Sequence, residues 1–135
     1  MKTIICDASW NQGWFCAVHW DSENQTYKPH IGRCIGSTQA EFIAAIRALL
    51  QVDKGETVLL ISDSDAVVAA INKNLKTGKP GIGALRRELW EVCRGLKVHA
   101  FHISTRNSYP IHKHVDHIAK TVLQSFLSNY RKEAA

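Results

Sequence analysis

Four carboxylates in this chain stand where their neighbours argue against an acid. Asp7 lies inside the apolar run Thr3-Ile4-Ile5-Cys6-Asp7-Ala8-Ser9-Trp10. Glu41 opens a run to Leu50 whose only other charge is Arg47. Asp63 closes the apolar segment Val58-Leu59-Leu60-Ile61-Ser62-Asp63, and Asp116 sits early in a long amphipathic stretch. A carboxylate buried without a partner costs several kcal/mol, so acids in such places are paired or bound to metal. Four of them call for a shared cation.

The elements that must position these acids follow from periodicity and turn residues. Strand-like segments cover roughly residues 3–10, 14–21 and 26–35, joined by Asn11-Gln12-Gly13 and Ser22-Glu23-Asn24-Gln25 as antiparallel hairpins. Gly36-Ser37-Thr38 offers an N-cap to a helix ending near Gln51, and a strand over 57–63 feeds a helix from about Ser64 to Leu75. Lys76–Gly83 is a loop by composition. A helix from about Ala84 to Arg94, a strand near 97–103, a loop through Pro110 and a helix over about 111–131 complete the chain. The order βββαβα(α)βα predicts an α/β fold: a mixed five-stranded sheet with helices on both faces, in one domain spanning 1–135.

On the first strand a period of two puts Ile5, Asp7 and Ser9 on one face, and the alternative to a cation there is satisfaction by backbone donors. In the 41–50 helix, Phe42, Ile43, Ile46, Leu49 and Leu50 make an apolar face, and Glu41, Ala45 and Ala48 a small-residue face that permits close approach. Glu41 could also serve merely as an acid at a helix N-terminus. Asp63, at a strand's carboxyl end where open sheets place ligands, is preferred over Asp65, although Asp63 could cap the following helix. The last helix carries the stripe Ile111, Val115, Ile118, Ala119, Val122, Leu123, Phe126, Leu127 and Tyr130. His112 falls inside that stripe and Asp116 at its edge, so the two could also simply bond one another. Their i, i+4 spacing suits a metal, but His114 and His117 point elsewhere, which disfavours a separate zinc site.

These residues resemble ribonuclease H of type 1. The resemblance rests on Ile5-Cys6-Asp7-Ala8-Ser9, Gln39-Ala40-Glu41-Phe42-Ile43-Ala44-Ala45, Ile61-Ser62-Asp63-Ser64 and Val115-Asp116-His117-Ile118-Ala119, in order and over essentially the whole chain. It implies a ribonuclease H-like fold and endonucleolytic cleavage of the RNA strand of an RNA–DNA hybrid, leaving 5′-phosphate ends. It implies two Mg²⁺ or Mn²⁺ ions, with Asp7 bridging both, Glu41 and Asp63 on one, and Asp116 on the other. Ser9, Ser37, Thr38, Gln39, Ser64, Lys73 and Lys76 would contact the substrate, and Arg106 and His112 would assist, Arg106 at product release. The chain departs from the family at Ala8, where Gly is common, at Arg106, where a His stands, and at His112, where an Asn is frequent. It also lacks a Trp-bearing basic protrusion, so a compact form is expected. A non-catalytic binding module of this fold, or a nuclease of the same fold acting on double-stranded RNA or DNA junctions, are the alternatives.

Bulk properties agree with a nucleic-acid partner. Lys and Arg number 17 against 12 Asp and Glu, a formal net charge of +5, and the surface outside the acid cluster is more basic still. Lys73, Lys76, Lys79, Arg86, Arg87 and Arg94 form a basic segment that could hold phosphates. Trp10 and Trp14 flank the first turn and would either border the hybrid groove or pack in the sheet. No run nears the roughly 18–20 apolar residues of a membrane span, and charge comes too early for a signal peptide. A cytoplasmic monomer is expected. Cys6, Cys16, Cys34 and Cys93 form no Cys-x-x-Cys pair, which predicts reduced core thiols rather than zinc or redox sites.

Overall fold

The computed structural model describes residues 1–73, 81–103 and 110–134. The strands are β1 (Lys2–Asn11), β2 (Trp14–Asp21), β3 (Tyr27–Arg33), β4 (Thr57–Ser62) and β5 (Lys97–His102). The helices are α1 (Ser37–Leu49), α2 (Asp65–Lys73), α3 (Ile82–Arg94) and α4 (Pro110–Ala134). The five strands form one sheet in the order β3-β2-β1-β4-β5, antiparallel through β3-β2-β1 and parallel through β1-β4-β5. This is the mixed sheet and element order that the sequence predicts, with β1 at its centre.

Local chemistry sets these elements. Asn11 pairs with Trp14, leaving Gln12 and Gly13 as a two-residue hairpin loop. Both have positive φ (52° and 88°), the twist that matches a right-handed strand pair. The Asp21 carboxylate closes the second hairpin by accepting the amides of Glu23 and Asn24. The alternation of β1 divides the protein into two cores. Ile4 and Cys6 face α1, α2 and α3 among Phe42, Leu49, Val67 and Leu89. Ile5 faces α4 among Val18, Val115, Ala119 and Leu123.

Several expected boundaries move. Pro110 opens α4 instead of preceding it, because the first helical position needs no amide donor and proline's fixed φ suits it. Strand β3 stops at Arg33, which leaves Cys34 outside the sheet, and α4 runs three residues past the expected end. The hydroxyls of Ser37 and Thr38 do not cap α1. Gly36 occupies the N-cap, with no side-chain cap hydrogen bond. Leu50, expected on the buried face of this helix, is 59% exposed just past its end. The four cysteines are free thiols, Cys6 and Cys16 buried. Among the described residues no helix is long and apolar enough to cross a membrane.

Phe42 is completely buried in the larger core. Phe42→Ala should therefore cost about 3–5 kcal/mol in denaturant unfolding, whereas Leu50→Ala should stay within about 0.5 kcal/mol. Equal costs would mean that α1 packs by a different face.

Candidate metal centre

Three elements converge on the α4 side of β1. The parallel register pairs Ile5 with Ile61, so two further residues along each chain bring Asp7 level with Asp63. One carboxylate oxygen of Asp7, one of Asp63 and one ring nitrogen of His112 all lie within 4.8 Å of one another. His112 and Asp7 are both fully buried, and His112 Nε2 stands 3.9 Å from Asp7 Oδ2. His112 heads the buried stripe that continues through Val115, Ala119, Leu123 and Leu127. Its position over β1 is thus fixed by α4 packing.

Glu41 reaches the same place from α1. Ala40, Ala44, Ala45 and Ala48 are buried, and these small side chains let the helix lie close on β1. The Ala8 amide donates to Asp7 Oδ1 at 2.9 Å and to Glu41 Oε1 at 3.3 Å, so two acids share one donor. The other oxygens, Asp7 Oδ2 and Glu41 Oε2, are buried without a hydrogen bond among the described residues. Asp116 enters from α4 and pairs with a cation of its own helix: Lys120 Nζ lies 3.2 Å from its Oδ2, one helical turn on.

The electrostatics register this crowding. Burial and then the charge of Asp63 push Asp7 up to about 8; the neighbouring Asp116 carboxyl adds to the rise, and the Glu41 carboxyl and the Ala8 amide oppose it. Glu41 is raised well above the usual carboxylate range, first by burial and then by the charges of Asp7 and Asp63. Burial, reinforced by Glu41, Asp7 and Asp63, also holds the Cys6 thiol in its protonated form. Carboxylates that resist ionisation in each other's company are suited to share a divalent cation, whose charge reverses the repulsion. The donor set of hard carboxylate oxygens, with two of them buried and lacking a donor, fits such an ion.

The remaining expected site residues are placed as follows. Asp65 is 89% exposed and pairs with His102 Nε2 at 3.1 Å, so it is Asp63 that faces Asp7. At the start of α2, Ser64 Oγ accepts the Val67 amide at 3.4 Å. Gln39 braces two loops, accepting from the Ile35 amide and donating to the Gly81 carbonyl. Ser9 and Thr38 are half-buried, while Ser37 and Lys73 are exposed. Lys76, Lys79 and Arg106 lie outside the described residues. Arg94 pairs with Glu91 and lies over the Trp90 ring. Trp14 packs against Phe126 and Tyr130 beneath Arg33, and Trp10 donates to the Cys34 carbonyl. His114 lies beside Tyr27 and His117 beside Thr121, away from His112. Sequence reasoning missed Lys120, although its i, i+4 spacing from Asp116 was a usable signal. It also missed His102, which no spacing rule connects to Asp65.

No protein-family model matches this sequence, and a search of curated proteins finds no match. Among solved structures the chain is similar to LC11-RNase H1 in complex with RNA/DNA hybrid. The TM-score is 0.76 at 14% identity, over 94% of this chain and 99% of that one. The chain therefore has a ribonuclease H-like fold.

A raised carboxylate pKa makes the folded state hold its proton more tightly than the unfolded state does. Stability is then greatest below the unfolded value of 3.8 and declines as pH rises towards about 8. In chelator, the unfolding free energy of the wild type should fall across pH 5–8. Asp7→Asn should remove up to about 1.4 kcal/mol per pH unit of that slope, leaving the part due to Glu41. An unchanged slope would show that Asp7 is solvated.

Proposed function

We propose that this protein is a divalent-metal-dependent endonuclease that cleaves the RNA strand of RNA–DNA hybrids and leaves 5′-phosphate ends. The observation that carries this reading is the meeting of Asp7, Glu41, Asp63 and Asp116, from four separate stretches of chain, around buried carboxylate oxygens that lack donors among the described residues. The fold it shares with a ribonuclease H1 solved on an RNA/DNA hybrid supports the choice of substrate.

Asp7 would contact two ions, with Glu41 and Asp63 holding one and Asp116 the other. Bound Mg²⁺ or Mn²⁺ would supply activation of water and stabilisation of the leaving oxygen during phosphodiester hydrolysis. The chain's own contribution is rigidity. Asp7 is fixed by the central strand, Glu41 is fixed by the Ala8 amide, and Asp116 is held beside Lys120, which neutralises it until substrate and ions arrive. Ser9 and Ser37 offer hydroxyls, and Lys73, Lys76 and Arg106 offer cations, to a phosphate backbone or 2′-hydroxyls. The formal charge of +5 favours a polyanionic substrate at low salt. The protein acts as a cytoplasmic monomer.

The test is incubation of purified protein with labelled RNA–DNA hybrid, double-stranded RNA and single strands, in Mg²⁺ or Mn²⁺. Cleavage confined to the RNA of the hybrid is expected. Asp7→Asn should abolish it with the fold intact, and Arg106→Ala should lower turnover several-fold. Hybrid left whole by folded protein in both metals would end the enzyme reading, and preferential cutting of double-stranded RNA would redirect it.

A further inference from the structure

We propose that His112 is a nitrogen ligand of the carboxylate centre, and that the centre therefore takes Mn²⁺ or another first-row transition ion in preference to Mg²⁺. This inference rests on the reading of that centre as a divalent-cation site.

Among the described residues, Asp7, Asp63 and His112 are the group whose donor atoms come close enough together to share an ion. His112 is a fully buried polar side chain at the head of an otherwise apolar helical stripe. Burying an imidazole there displaces a core side chain, and its ring is directed at the carboxylates rather than at solvent. Asp7 Oδ2, the oxygen 3.9 Å from His112 Nε2, is buried without a hydrogen bond among the described residues. Donors around an octahedral ion with bonds of about 2.1 Å are spaced by about 3.0 Å when adjacent and about 4.2 Å when opposite. The 3.9 Å separation lies inside that range, and the 4.8 Å limit for the whole group exceeds it by about half an ångström.

The identity of the donors then decides the ion. Mg²⁺ demands hard oxygen ligands and sheds water reluctantly, so a fixed imidazole in its shell is a poor exchange for water. First-row transition ions accept imidazole readily, and affinities for a mixed nitrogen and oxygen site rise along the series from Mn²⁺. Two carboxylates plus one imidazole therefore shift selectivity away from Mg²⁺ without changing the number of negative charges.

Pulsed electron paramagnetic resonance of Mn²⁺ bound to the purified protein reads nitrogen coordination directly and needs no substrate. We expect ¹⁴N modulation in the wild type, its replacement by ¹⁵N modulation when only histidine is ¹⁵N-labelled, and its loss in His112→Asn. By calorimetry, His112→Asn should weaken Mn²⁺ at least about tenfold, the lower bound for losing even an outer-shell partner of a metal. Mg²⁺ affinity should change by no more than about threefold, since oxygen donors remain. Bound Mn²⁺ without nitrogen modulation, or modulation that survives in folded His112→Asn, overturns the proposal. Should that variant not fold, the labelled wild type still decides the matter, because no other described histidine offers a nitrogen to this group. Hybrid cleavage without nitrogen coupling sinks this inference alone. Nitrogen coupling without hybrid cleavage sinks only the nuclease reading, and failure to bind Mn²⁺ sinks both.

Discussion

The cost of holding Asp7 ionised in the middle of the central strand is the constraint around which this protein is arranged. Asp7 is completely buried, paired with Val18 of β2, and the parallel register with β4 places Asp63 level with it. The charges of Asp7 and Asp63 in turn raise Glu41, which the Ala8 amide holds alongside. The opposing energy comes from packing. Each fully buried aliphatic or aromatic side chain contributes about 1.5–3 kcal/mol, and the two cores flanking β1 contain many of them. A sheet with a weaker centre would relax by swinging an acid outward. Here it cannot, and a site short of positive charge results.

Compensation within the chain is uneven across the site. Asp116 has an ammonium one turn away at 3.2 Å, on a half-exposed lysine that can swing aside. Asp7 and Glu41 share one backbone amide, and the edge of His112 faces Asp7. An incoming cation therefore gains most at the Asp7 end, where the carboxylate is completely buried. The alanine-lined face of α1 serves the same end, since a larger residue at Ala44, Ala45 or Ala48 would lift the helix and withdraw Glu41 from the Ala8 amide.

Much of this was legible from residue order because it depends on period and polarity. Asp7 reads as buried because both faces of its strand are apolar, and His112 because it interrupts a 3.6-residue stripe. The choice of Asp63 over Asp65 follows from strand ends, and the exposed pairing of Asp65 with His102 agrees with it. What escaped depends on single atoms. The cap of α1 is Gly36, without a side-chain hydrogen bond, and Gln39 in the first turn bonds outward to Ile35 and Gly81. Leu50 carries the right residue type one position too late, where the helix has already ended. Trp14 could not be assigned to groove or core until the aromatic cluster of Phe126 and Tyr130 stood over it.

Ala8 shows which departures from a resembling family matter physically. Glycine is needed at a position only where φ is positive or where a Cβ would collide. Ala8 continues an ordinary strand, and the described non-glycine residues with positive φ are Gln12 and Gln25. Its methyl group points away from Asp7, into the core beneath α1. The part of residue 8 that the site uses is its amide, which every residue but proline supplies. Replacing glycine with alanine there leaves both carboxylate contacts intact and reduces the freedom of the unfolded chain. His112 is the opposite case, because its side chain enters the group of donor atoms itself. At 14% identity with a shared fold, a substitution is silent when the site uses only the backbone and consequential when it uses the ring. By that measure His112, far more than Ala8, is where this chain sets its own chemistry.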